Sequence, residues 1–172
     1  METVYFDAPK DCIGIALSGK QVVYTGLEIH REPVRYRGCQ ALAPFLKEDF
    51  HFYFEDEEPQ IPIYAVPQVL ILGHDSDGGW FASTRMDVRL EEDFPLFYIS
   101  REGRVYQVEG ESSRLLTGTF RWRECLRPSD AVKLYPSRAM ARRDFEIHDL
   151  AELDLPGLPG QAKQSRQTGQ GG

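Results

Sequence analysis

The run Val69-Leu70-Ile71-Leu72 constrains this chain more than any other feature. Four consecutive apolar residues without alternation imply a strand buried on both faces. His74-Asp75-Ser76-Asp77-Gly78-Gly79 follows, and Asp-Gly-Gly is turn chemistry because glycine alone takes positive φ without steric cost. Trp80-Phe81-Ala82-Ser83-Thr84-Arg85 then reads as a returning strand. Pro95-Leu96-Phe97-Tyr98-Ile99-Ser100 and Arg104-Val105-Tyr106-Gln107-Val108 predict a second hairpin across Arg101-Glu102-Gly103. Together the two hairpins predict an antiparallel meander within residues 61–108.

At 172 residues, one domain with a core that needs no staples is the default. Cys12, Cys39 and Cys125 are scattered and odd in number, which argues against a disulfide framework or a zinc site. The N-terminus shows no positively charged leader, and no apolar run approaches a membrane span. These features predict a cytoplasmic protein without cofactors. The net charge of −7 is uneven. Residues 1–100 carry 17 acidic and 8 basic side chains, a balance of −9, whereas residues 101–152 carry 9 and 10. An acidic half repels a phosphate backbone and attracts a basic protein, so nucleic acid is disfavoured as a partner.

Along the chain, Cys12–Leu17 and Gln21–Leu27 predict a hairpin across Ser18-Gly19-Lys20. That tripeptide lacks the glycine spacing of a phosphate loop. Pro44 and the spacing of Leu46, Phe50 and Phe54 favour a helix from about Ala41 to Asp49, although Phe50-His51-Phe52-Tyr53-Phe54 also suits a strand. Thr119 is placed to cap a short helix carrying Trp122, Cys125 and Leu126. Ser129 is placed to cap Asp130–Tyr135, and Ser137 a last helix through about Ala151. Residues 1–152 thus read as one α+β domain. Pro156, Gly157, Pro159 and Gly160 open a Gln/Gly/Ser-rich stretch, and residues 153–172 read as a disordered tail.

Three sets of residues carry candidate chemistry. Glu28, His30 and Glu32 share one side of an extended segment and offer metal-ligand types. His74 beside Asp75 suggests an acid–base pair, but no nucleophile accompanies it. Asp75-x-Asp77-Gly78 echoes a calcium loop, yet the fifth and twelfth positions fall on Gly79 and Met86, so the ligand set fails. The more extensive feature is acidic. Glu55-Asp56-Glu57-Glu58 and Glu91-Glu92-Asp93 border the same predicted sheet, and with Asp75 and Asp77 they are the candidate docking face for a basic partner. The competing reading is loop solubility. Trp80, Phe97 and Tyr98 are candidate apolar anchors, for which core packing is the alternative role.

The stretch from Ile61 to Leu126 resembles the core of the SUKH superfamily, which groups bacterial toxin-immunity proteins with fungal cell-wall-synthesis regulators. Four pieces in order carry the likeness. They are Ile61-Pro62 to Val66-Pro67; Val69-Leu70-Ile71-Leu72-Gly73 with an acidic, glycine-containing turn and Trp80-Phe81-Ala82; Pro95-Leu96-Phe97-Tyr98-Ile99 with Glu102-Gly103; and Thr119-Phe120 through Glu124-Cys125-Leu126. The family's opening helix and leucine-proline step have no counterpart here. The resemblance implies an α+β fold, a meander flanked by short helices, no catalysis, and neutralisation of a cognate toxin, often a nuclease, by binding. A regulatory adaptor without a toxin is the alternative, and a hydrolase or metal-binding protein a third. An exposed sheet edge leaves monomer and weak homodimer both open.

Overall fold

A computed structural model describes residues 1–7, 15–34, 49–117 and 121–150. The strands in chain order are β1 (Glu2–Asp7), β2 (Lys20–Thr25), β3 (Leu27–Ile29), β4 (Arg31–Glu32), β5 (His51–Phe54), β6 (Tyr64–Val66) and β7 (Val69–His74). They continue as β8 (Trp80–Ser83), β9 (Phe97–Ile99), β10 (Val105–Val108), β11 (Leu126–Pro128), β12 (Lys133–Tyr135) and β13 (Ile147–Asp149). Among the described residues the protein is mostly β, with mixed parallel and antiparallel pairing.

The largest sheet runs in the order β11-β10-β9-β8-β7-β5-β4, and β3 pairs with the first half of β7. From β7 to β11 each strand pairs antiparallel with the next. The apolar run of β7 is buried throughout, and its side chains divide between two cores. Leu70 and Leu72 join Phe50, Phe52, Phe81, Leu96, Tyr98 and Trp122 on one side. Val69 and Ile71 join Tyr53, Ala65, Ala82, Ile99 and Val132 on the other. The pleat produces this division, because successive side chains face opposite ways. Burial on both faces is why β7 carries no polar alternation. A register shift between Ile71 and Gly73 leaves Leu72 as a bulge residue. Gly73 is required there, since a Cβ would lie 2.4 Å from the main-chain oxygen of His51.

The flanking segments depart from expectation. No hairpin forms across Ser18-Gly19-Lys20. Residues 15–17 are not a strand, and residues 12–14 of the first arm lie outside the described set. Instead β2 pairs in parallel with β1, Val4 opposite Val22. A parallel pair needs a crossover of about a dozen residues, and residues 8–19 supply that length. The expected helix over Asp130–Tyr135 is replaced by β12, which pairs with β6. Leu134 in β12 and Val132 just before it pack on the second core, a use of apolar residues that strand period serves as well as helix period. The helix expected from Ser137 is a single turn, Arg138–Ala141, with Ser137 Oγ accepting from Met140 N. Its apolar face is too thin to continue: Met140 is 38% exposed, and Ile147 is buried instead as part of β13 beside β1. The short helix at Trp122–Cys125 is a 3₁₀ turn that runs directly into β11. Its proposed cap Thr119, most of the Ala41–Asp49 helix and residues 153–172 lie outside the described residues. Of the Phe50–Phe54 run, His51–Phe54 form β5, so the strand reading holds for those four residues. No helix among the described residues is long and apolar enough to cross a membrane.

Candidate functional site

A polar knot sits at the turn between β7 and β8. Asp75 is 2% exposed, and every contact of its carboxylate is internal. Oδ1 accepts from the main-chain N–H of Gly79 at 2.7 Å and of Asp77 at 3.1 Å. Oδ2 accepts from the Tyr98 hydroxyl at 2.7 Å. Asp75 thus ties the turn to β9 beneath it. Gly79 must be glycine, because a Cβ would fall 2.2 Å from the Tyr98 hydroxyl. Burial, and then the bond to Asp75, push the Tyr98 hydroxyl far above its ordinary pKa, so it stays a donor.

Two further aspartates converge on the same point. Asp49 precedes β5 with φ of 58°, a left-handed conformation that aspartate tolerates better than most residues. Its Oδ1 accepts from Ser76 N at 2.8 Å. Carboxylate oxygens of Asp49, Asp75 and Asp77 all lie within 4.8 Å of one another. That arrangement offers a cation site, and a protein cation takes it. The Arg123 guanidinium lies 2.5 Å from Asp49, 3.4 Å from Asp77 and 3.7 Å from Asp75. It also stacks 4.3 Å above the ring centroid of Trp122, itself buried against Phe81 and Tyr98. Burial pushes the Asp49 carboxyl up, but the Ser76 hydrogen bonds and Arg123 outweigh it and leave it below its ordinary pKa. A metal here would have to displace Arg123.

The nine acidic candidates do not form one face. Asp75 is buried and spent on the turn, which removes it from any docking surface. Asp77 is exposed but pairs with Arg123. Glu91, Glu92 and Asp93 lie in the connector at the other end of β8 from that turn. Glu92 meets Arg85 and Arg89, and Asp93 accepts from the Ser113 hydroxyl and N–H. Glu55, Asp56, Glu57 and Glu58 follow β5 toward the outer edge, where Glu55 N donates to Glu32 O in β4. Glu57 accepts from Phe54 N. The exposed Glu55, Glu58 and Glu91 make no ion pair among the described residues.

The other candidates separate likewise. His74 is not an acid–base partner of the Asp75 carboxylate, because its Nδ1 bonds the Asp75 main-chain oxygen at 3.0 Å. His30 Nε2 lies 3.0 Å from Glu32 Oε1, but Glu28 does not converge with them. Phe97 and Tyr98 are core residues. Trp80 is half-buried and lines an open cleft of about 320 Å³ with Pro62, Ile63, Leu134 and Tyr135. Asp49 and Arg123 escaped sequence reasoning because they stand 74 positions apart, so no local spacing joins them. The Trp122-Arg123 dipeptide was the available signal, since an arginine beside a buried tryptophan is placed to stack on it. Comparison with protein-family models, curated proteins and solved structures finds no match.

Proposed function

We propose that this chain is a non-catalytic, cytoplasmic binding protein of SUKH-like α+β fold that neutralises a cognate basic toxin, such as a nuclease, by protein–protein contact. The in-order antiparallel pairing of β7 to β11 supports the meander in that reading. The observation that carries the partner's chemistry is the net acidic balance, since Arg31, Arg101, Arg104 and Arg143 also meet no carboxylate among the described residues. Arg85, Arg89, Arg121 and Arg127 each meet a carboxylate within the chain. Glu55, Glu58 and Glu91 meet no cation among the described residues, and the whole chain carries −7. Such surplus charge speeds encounter and orients a basic partner, while an apolar anchor sets residence time. Trp80, which lines the cleft and is half-buried, is the anchor this reading favours over Phe97 and Tyr98, which are buried.

The test is co-expression with a basic protein encoded beside this one, followed by affinity measurement across a salt series. Binding should weaken as salt rises, and Glu55→Lys/Glu58→Lys/Glu91→Lys should cost at least tenfold with the fold intact. A salt-independent complex, or a triple variant that binds as tightly as the parent, would end the charge argument. A neighbourhood without a toxin-bearing secreted protein would favour an adaptor role.

A further inference from the structure

We propose that His51 and His74, with Asp49, form a binding site for one transition-metal ion of the zinc, nickel and copper class. The two histidines stand directly opposite each other in the antiparallel register of β5 and β7. Their rings are stacked, with centroids 5.2 Å apart and planes 29° from parallel. Each imidazole is partly exposed. The His51 Nε2 lies 3.7 Å from Asp49 Oδ1. Two imidazoles and a carboxylate therefore meet on one small patch, a donor set suited to these metals rather than to magnesium or calcium.

The state of His74 is the second and independent observation. Its Nδ1 contacts a main-chain carbonyl, which only accepts, so Nδ1 carries the proton and Nε2 the free lone pair. A hydrogen bond from the far ring nitrogen to a carbonyl is the device that fixes tautomer and orientation in metal-binding histidines. The Tyr53 ring packs 5.1 Å from His74 and limits its rotation. Asp49 is similarly held: Ser76 N bonds Oδ1 at 2.8 Å, and Arg123 takes Oδ2. Oδ1 keeps a second lone pair, and the His51 Nε2 is 3.7 Å from that oxygen. The adjustable member is His51, whose side chain is 38% exposed. Metal–nitrogen bonds of about 2.0–2.1 Å require the two nitrogens within about 4 Å. The donor atoms of His51, His74 and Asp49 do not all lie within 4.8 Å of one another in this structure, so binding requires the partly exposed His51 ring to turn toward His74. Three protein donors leave a fourth position for water. This site is separate from the Arg123 knot, although Asp49 borders both. It does not depend on the toxin-binding reading.

The register also supplies the probe. Trp80 is the β8 partner of His74, so Cu²⁺ bound there lies close enough to quench its fluorescence. The experiment titrates the full, metal-free chain with Zn²⁺ by calorimetry and with Cu²⁺ by tryptophan emission. One equivalent of Zn²⁺ should bind, and Cu²⁺ should quench with the same stoichiometry and compete with Zn²⁺. His51→Gln and His74→Gln should each weaken Zn²⁺ binding at least tenfold, and His30→Gln and His148→Gln less than twofold. His51 is exposed enough for its variant to fold, which circular dichroism checks. Absence of saturable binding, unchanged affinity in His51→Gln, or loss on His30→Gln or His148→Gln would each overturn the assignment.

Discussion

The strands β7 to β10 and the strands at the two ends of the chain are held by different means. In the centre, partners are neighbours in sequence, and the short β7–β8 and β9–β10 turns set the register of their hairpins. Gly103 takes φ of +81° in the β9–β10 turn, and the Asp75 carboxylate gathers two N–H groups of the β7–β8 turn. In the flanking sheets, partners lie far apart in sequence. Tyr5 pairs with Ile147, and Ala65 with Leu134. A polar lock closes this assembly. Tyr64 donates to Asp7 and also bonds Thr25, while Arg138 bridges Asp7 and Asp149. Local pairs cost little chain entropy to close and form from their turns. Distant pairs incur the full closure cost before their contacts return it, so they depend on a few specific side chains.

That contrast predicts unequal responses to mutation. Phe81→Ala should be the most damaging, at about 4 kcal/mol, because Phe81 is fully buried and meets Phe50, Tyr98 and Trp122. Urea denaturation should show both regions unfolding together. A loss confined to the central strands would break the idea that the ends rest on that core. Asp75→Ala should cost about 3 kcal/mol, since it leaves two N–H groups and the Tyr98 hydroxyl without their acceptor. Tyr64→Phe should cost about 1 kcal/mol, read most clearly as faster hydrogen exchange in β1 and β13 than in β8.

Tyr64 also sharpens the comparison through pH. Burial, partly offset by Thr25 and reinforced by Asp7, raises its hydroxyl from 10.0 to about 12 in the folded protein. The neutral form is therefore the stabilised one. Its contribution is complete below pH 10 and is lost as pH rises through about 12. Subtracting the Tyr64→Phe stability curve from that of the parent should isolate a decline in this window. A flat difference would mean that the lock is not what holds the ends.

The two central hairpins were legible because their signals are local. An apolar run, a glycine turn and a returning strand all fall within about twenty residues. The ends were not. Gln21–Leu27 reads as a strand, but alternation does not say whether the partner lies before or after it, or in which direction it runs. Lys133-Leu134-Tyr135 fits helix and strand period equally at that length, and only the open edge of β6 decides between them. The site shows the same division. Asp75 stood out as turn chemistry, but its burial under Tyr98 depends on β9. Glu55 and Asp77 look alike in sequence and differ because Arg123 reaches only one of them.

What the residues determined unaided is the doubly buried strand, its glycine turns and the excess of carboxylates. These follow from local sterics, side-chain polarity and simple charge. The tertiary structure alone decided which carboxylates are matched, that Arg123 fills the aspartate cluster, and that His51 faces His74. Those outcomes depend on side chains carried by distant strands, and short-range rules carry no information on contacts made only once the chain has closed.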